Sequence, residues 1–424
     1  MVANVEITSK EMIKPSSPTP DHLRTHKLSF LDQIAPSVYI PLIFFYKNSD
    51  HFPKLDSLKI SDLLKQSLSN VLTQFYPLAG RLSGGNLTVD CDDSGVLFVE
   101  TIVDANLSDV INQPSMDVNK QFLALDQLTP TESNSVLLAL QINIFNCGGI
   151  AIGMQMYHGV ADGTSAVNFM NAWAASCRGD DITHEDFAPR FISMADLFPP
   201  INLPSSGTGG FLEVTKEKLV TKRFVFDKEI LAKLKQSSAS GSSQVGMNIN
   251  RTRVEAVSAL FWKRFVDTTI AENSNKSVIA AGHAVNLRPR MDPPLPDQAF
   301  GNVWILSTTQ AIPIEKNGET DLDLVGYLSN ALWRIDGDYV KAIQSGDAQC
   351  LNSLMEILAL RSKGEIQLSL FTSWCRFPVY EVDYGWGKPV WVSTFTMPYE
   401  NAALLMSTSC GEGIEAWFNV FEED

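Results

Sequence analysis

Apolar positions along the chain fall into two repeat lengths. Leu64, Leu68, Val71, Leu72 and Phe75 recur three and four residues apart, which predicts an amphipathic helix over 61–75. Ser61 and Asp62 are its cap candidates and Pro77 its stop. Residues 87–100 read as strand, turn, strand around Asp92-Asp93-Ser94-Gly95, and a longer hairpin is predicted from 136–145 and 150–158 about Asn146-Cys147-Gly148-Gly149. In the second arm of that hairpin Ile150, Ile152, Met154, Met156 and His158 share one face by the two-residue period. Ala151, Gly153, Gln155 and Tyr157 share the other, so an imidazole closes an otherwise apolar row. The chain then turns through 159–163 into a helix in which Ala166, Phe169, Met170, Trp173 and Cys177 recur at helical spacing.

Residues 201–218 are rich in Gly, Ser and Pro, lack periodicity and lie near the middle, which predicts a linker. Beyond it, 220–226 reads as a strand, and Thr252-Arg253-Val254-Glu255 as a capping box before a helix with Val257, Phe261 and Phe265 inward. Residues 283–304 begin as a strand and become a Pro-rich loop, 320–345 read as helical, and 371–395 and 402–421 supply the last strands. Helices mixed with hairpins and separated strands predict an α/β fold of the α+β type, built from two layered domains rather than one doubly wound sheet. The length of 424 residues allows two or three domains at roughly 150 residues each; no low-complexity spacer argues for a third.

Charge changes the picture more than composition does. With 33 basic and 48 acidic residues the net charge is −15, so the chain gains nothing from releasing counterions of nucleic acid and is disfavoured at an anionic membrane surface. No apolar run approaches the roughly 20 residues of a spanning helix, and the greasiest, 38–46, contains Pro41. The N-terminus lacks the apolar block of a signal peptide, which predicts a cytoplasmic protein. Cys91, Cys147, Cys177, Cys350, Cys375 and Cys410 are scattered, with no CxxC, and read as reduced, mostly buried thiols.

Candidate chemistry emerges by elimination. G-x-S-x-G, a Walker loop, H-E-x-x-H and an EF-hand loop are all absent, and no histidine sits with another ligand at metal spacing. Cys147 lies in a predicted turn with no adjacent base, and His283 begins an apolar strand, where a core role suffices. His158-Gly159-Val160-Ala161-Asp162-Gly163 remains. Burial at the end of an apolar strand disfavours a charged imidazole, and a neutral imidazole beside a hydroxyl is a competent general base. Asp162 could order the loop or orient the ring. On spacing alone a satisfied core histidine beside a Gly-rich turn stays an equal alternative.

Taken together, His158-x-x-x-Asp162-Gly163 and the distant Asp383-Tyr384-Gly385-Trp386-Gly387 resemble the paired signatures of the plant BAHD acyl-CoA-dependent acyltransferases. Residues 75–82 (FYPLAGRL), Val285-Asn286-Leu287-Arg288 running on to Gly301-Asn302, and Thr372-Ser373-Trp374 support the resemblance. The opening SKEMIKPSSPTP and LSFLDQ (28–33) are similar to the family's alkaloid acetyltransferase branch. The resemblance spans essentially the whole chain.

It implies two similar-sized chloramphenicol-acetyltransferase-like domains with mixed sheets flanked by helices, joined by a long crossover loop, with a solvent channel between them. The domains would be 1–200, with 385–406 packing back onto it, and 219–384 with 407–424, joined by 201–218. It also implies that His158 is the general base, Thr372 and Trp374 support an oxyanion, and Asp162 forms a structural ion pair with Arg288. Asp383, Tyr384, Gly385, Trp386 and Gly387 would be architectural, and Thr252, Arg253, Gly301 and Asn302 would lie on the CoA side. The implied activity is O-acylation of a specialised-metabolite alcohol, an alkaloid or terpenoid, by a monomer. Acyl-CoA, most often acetyl-CoA, would be the co-substrate, with no permanently bound cofactor, metal, nucleic-acid or membrane partner. A hydrolase using the same histidine on water, or a non-catalytic binding homologue, are the alternatives. Two departures stand out: Tyr384 replaces the usual phenylalanine, and the sequence ends at Phe421-Glu422-Glu423-Asp424, before the family's final helix.

Overall fold

The structure, a computed structural model, describes residues 4–48, 57–83, 85, 87–126, 129–130, 134–201, 215, 218–240, 251–271, 276–314 and 323–421. The fold is mixed α/β, and the chain divides into two units. The first comprises Met1–Leu212, Pro296–Asn302 and Phe377–Thr396; the second comprises Glu213–Leu295, Val303–Arg376 and Met397–Asp424.

The first unit is built on a six-stranded sheet in the order Asn4–Ile13, Val96–Asp104, Leu138–Phe145, Ile150–Tyr157, Tyr39–Tyr46, Trp391–Ser393. Only Val96–Asp104 and Leu138–Phe145 run parallel. Every residue of Ile150–Tyr157 is buried, as expected for a strand with neighbours on both sides. Pro41 is tolerated inside Tyr39–Tyr46 because Trp391–Ser393 reaches only Ile43 to Phe45, so no ladder bond is asked of its missing N–H. Helices Ser57–Gln74 and Gly163–Arg178 are fastened to each other: Trp173 Nε1 donates to the Leu64 carbonyl and to Ser67 Oγ, each at 3.1 Å. The stripe Leu64, Leu68, Val71, Leu72 and Phe75 is buried throughout.

The second unit repeats the scheme with the order Trp304–Thr308, Val278–Asn286, Ile366–Ser373, Ala402–Ser407, Ile414–Phe421, Leu219–Phe226, and Ile312–Pro313 pairing beside the second of these. Helix Arg253–Ala271 opens on the Thr252–Glu255 capping box and buries Val257, Phe261, Trp262 and Phe265 against the sheet. Phe265 stacks on Phe418 with ring centres 4.4 Å apart.

Several expectations are corrected. Thr88–Asp90 and Val96–Asp104 do not form a hairpin: the first joins a small sheet with Thr25–Lys27 and Arg81–Ser83, the second enters the large one. Residues 320–345 hold two helices, Leu324–Trp333 and Gly337–Gln344, because Asp336 starts a new one as an N-cap. The stretch 371–395, expected to supply strands, contributes to both units: Ile366–Ser373 belongs to the second and Trp391–Ser393 to the first. The segment joining the first unit is Phe377–Thr396 rather than 385–406, since Ala402–Ser407 is paired on both sides within the second sheet. Pro296–Asn302 also joins the first unit, contrary to expectation. Most of the expected linker 201–218 lies outside the described residues. Among the described thiols Cys91 and Cys177 are buried, but Cys147 and Cys410 are exposed.

Candidate active site

His158 lies one residue past the central strand Ile150–Tyr157, held there by its N–H donating to the Val38 carbonyl at 2.8 Å. Gly153 lets the strand pass under Phe122, since a Cβ there would meet the Phe122 carbonyl oxygen at 2.0 Å. The loop after His158 ends at Asp162, whose Oδ1 accepts from Ser165 N at 2.9 Å and so caps helix Gly163–Arg178. Gly301, at φ +123°, accepts from Asp162 N and Ser165 Oγ through its carbonyl. Asn302 follows it and meets His158 directly.

That contact decides which ring nitrogen holds the proton. Asn302 Nδ2 donates to the His158 carbonyl at 2.6 Å and to Asp32 Oδ1 at 2.9 Å, which turns Asn302 Oδ1 toward His158 Nδ1 at 3.1 Å. An amide oxygen only accepts, so in the neutral imidazole Nδ1 carries the hydrogen and Nε2 keeps its lone pair. Desolvation lowers the His158 pKa, against the opposing pull of hydrogen bonds and of the Asp162 charge, although part of the residue's surface stays accessible.

Behind Asn302 stands Asp32. It forms a buried capping box with Ser29, whose N–H and hydroxyl both donate to Asp32 Oδ2 at 2.7 Å. Burial pushes its pKa up to about 6, while the bonds from Ser29 and Asn302 pull the other way.

The Asp383–Gly387 stretch is a clamp. Asp383 Oδ1 accepts from Gly385 N (2.8 Å) and Gly387 N (2.9 Å), and both glycines sit at φ +101°, where a side chain would be strained. This turns Tyr384 and Trp386 inward, stacked with centres 5.2 Å apart. Tyr384 packs edge-on against Trp173 of the helix capped by Asp162, and both rings pack edge-on against Tyr46 of the strand beside the histidine strand. The motif thus braces the two elements that present His158, from a distance.

In the second unit, Thr372 is half-buried near the end of Ile366–Ser373, and Trp374 is buried with its backbone N–H donating to the Leu405 carbonyl at 2.7 Å. Arg288 is fully buried, its backbone N–H bonded to Asn286 Oδ1 at 3.0 Å. The Thr252 hydroxyl is engaged by Glu255 Oε2 at 2.6 Å. Gly301 and Asn302 are brought against Ser165 and His158. Asp32 escaped sequence reasoning, although Ser29-x-x-Asp32 before an apolar run is a capping-box pattern that could have marked it. Among the described residues no group of His, Cys, Asp and Glu is arranged to hold a metal ion, and no helix is long and apolar enough to cross a membrane.

Comparison with known proteins agrees over the full length. Stemmadenine O-acetyltransferase of Catharanthus roseus is 41% identical over 430 residues, covering 100% of this chain and 96% of its own. Vinorine synthase of Rauvolfia serpentina is 41% identical over 437 residues with the same coverage, and limonoid 1-O-acetyltransferase of Citrus sinensis is 37% identical over 425 residues, covering 98% and 94%. The crystal structure of vinorine synthase superposes with a TM-score of 0.84 at 40% identity, over 99% of this chain and 95% of that one. A family model described as the Transferase family matches residues 3–424. With the HxxxD and DYGWG segments in place, the chain belongs to the Transferase family, the plant BAHD acyltransferases.

Proposed function

We propose that the protein transfers an acyl group, acetyl foremost, from acyl-CoA to a hydroxyl of a bulky plant metabolite, an alkaloid or terpenoid alcohol. The observation that carries this reading is the contact of Asn302 Oδ1 with His158 Nδ1, which commits the ring proton to Nδ1 in the neutral imidazole that desolvation favours. Nε2 then keeps the lone pair that acts as the base. It removes the acceptor's hydroxyl proton as the oxygen attacks the thioester carbonyl. Thr372 and Trp374 donate to the oxyanion that forms, a role worth about 2.7–4 kcal/mol per donor where it has been measured. Collapse of the tetrahedral intermediate breaks the C–S bond, and the imidazolium Nε2–H returns its proton to the leaving thiolate, giving ester and free CoA. No acyl-enzyme is needed. The names of the relatives, acetyltransferases of stemmadenine and of a limonoid, support the choice of acyl group and of acceptor class.

The test is acceptor-dependent thiol release from acetyl-CoA, with the acetylated product followed by mass spectrometry across plant alcohol fractions. His158→Ala should lower turnover by about 10²–10⁴-fold, the contribution of a general base. Near-normal turnover in that variant would refute the assignment, and thiol release without an acceptor would point to hydrolysis.

A further inference from the structure

The two carboxylate oxygens of Asp32 face different parts of the chain. Oδ2 closes the capping box of helix Phe30–Ile34, accepting from the N–H and the hydroxyl of Ser29, each at 2.7 Å. Ser29 Oγ accepts in turn from Asp32 N at 3.3 Å. One oxygen at this position is all that a capping box uses. Oδ1 is engaged elsewhere, accepting from Asn302 Nδ2 at 2.9 Å and from the Asn302 backbone N–H at 3.3 Å. Four donor contacts thus meet the two oxygens, which suits the lone pairs of an ionised carboxylate. All three residues are buried, Ser29 and Asn302 fully.

The oxygen and nitrogen ends of an amide have nearly the same shape, so packing does not decide which end of Asn302 meets His158. The neighbours' chemistry does. With Nδ2 turned toward the His158 carbonyl (2.6 Å) and Asp32 Oδ1 (2.9 Å), both acceptors receive a hydrogen, and the amide oxygen is left for the ring Nδ1 at 3.1 Å. The reversed amide would set its oxygen against a carbonyl and a carboxylate, and would offer N–H to Nδ1. The imidazole would then hold its hydrogen on Nε2, where the lone pair is needed. Of the two acceptors that forbid this reversal, the backbone carbonyl is present whatever the sequence; the carboxylate is the one that the sequence supplies. Its charge also polarises the amide toward Nδ1, because linked hydrogen bonds strengthen one another where water is excluded. Asp162, the acid nearest His158 in the chain, caps the following helix instead.

We infer that Asp32 is a positioning residue for the general base, fixing the ring tautomer of His158 through Asn302 in a carboxylate–amide–imidazole chain. The inference rests on the reading of His158 as the base of acyl transfer.

Tautomer and turnover together test it, on the full chain. With isotope-labelled histidine, proton–nitrogen NMR shows which ring nitrogen holds the hydrogen, and the His158→Ala chain identifies the His158 signals. The unmodified chain should carry the hydrogen on Nδ1, and Asp32→Asn should shift His158 toward the Nε2–H form. In the same variant kcat should fall about 10- to 100-fold, the scale of a lost bond to a charged partner, with both KM values unchanged. Ser29→Ala removes the capping hydroxyl but leaves Oδ1 on Asn302, so it should lower the melting midpoint and keep the tautomer and kcat. An unchanged tautomer or kcat in Asp32→Asn, a loss carried by KM, or an equal loss of kcat in Ser29→Ala would each overturn the proposal. If Asp32→Asn does not fold, Asp32→Ser takes its place; failure of both beside a folded Ser29→Ala chain makes Asp32 a residue of the fold alone and also overturns it. The NMR reading needs no turnover: a tautomer that depends on Asp32 in a chain that transfers no acetyl group keeps the positioning role and loses the acyltransfer reading. Acceptor-dependent transfer with tautomer and kcat unaltered in Asp32→Asn does the reverse.

Discussion

Around His158 two effects oppose each other. The hydrogen bonds and the Asp162 charge favour an imidazolium, whereas burial disfavours it, and burial prevails. The sign of the pH dependence follows. A base whose pKa is lowered from 6.5 is neutral at pH 7, so kcat/KM should be flat near neutrality and fall only on the acid side, with a midpoint below 6.5. A pH–rate profile checks this, and an acid limb centred above pH 7 would contradict it. The two-residue period already brought His158 to the end of an apolar row. Its ring partner was not visible in that pattern, because Asn302 is 144 positions away and Asp32, which holds the amide, is 270 positions from Asn302. Which ring nitrogen is the base is therefore a property of contacts that no local pattern encodes.

At the scale of elements, the Asp383–Gly387 clamp carries a testable mismatch. Tyr384 is buried in the aromatic stack, and its hydroxyl has no hydrogen-bond partner among the described residues. A buried hydroxyl left unpaired costs about 1–3 kcal/mol. Tyr384→Phe should thus raise the unfolding midpoint by a gain on the order of 1 kcal/mol, read by thermal or urea melting; a drop in stability would show that the hydroxyl is satisfied in solution. The helix over Ser57–Gln74 and the hairpin of Leu138–Phe145 with Ile150–Tyr157 were legible because their apolar repeats are long and uninterrupted. The pairing of Thr88–Asp90 was not, since a three-residue strand carries too little periodicity to name its partner.

At the scale of the molecule, each unit draws on separated stretches of the chain. The first needs Pro296–Asn302 beside His158, and it needs Phe377–Thr396 for its edge strand and aromatic clamp. A fragment of residues 1–212 lacks both. It would leave Asp32 without Asn302, Asn119 without Ser393 and Tyr46 without its bond to Val382. Such a fragment should show no cooperative thermal transition by circular dichroism. A melt like that of the full chain would mean that 1–212 folds as an independent unit.

By itself, the amino-acid order determined the α/β character, the main helices and hairpin, the histidine at the end of its strand and the family, because these depend on periodicity and on short motifs read within one stretch. Tertiary structure alone decided where the chain changes units and which ring nitrogen of the imidazole keeps the proton. Those outcomes depend on contacts between residues far apart in the chain, whose desolvation and hydrogen bonding exist only once the strands have paired.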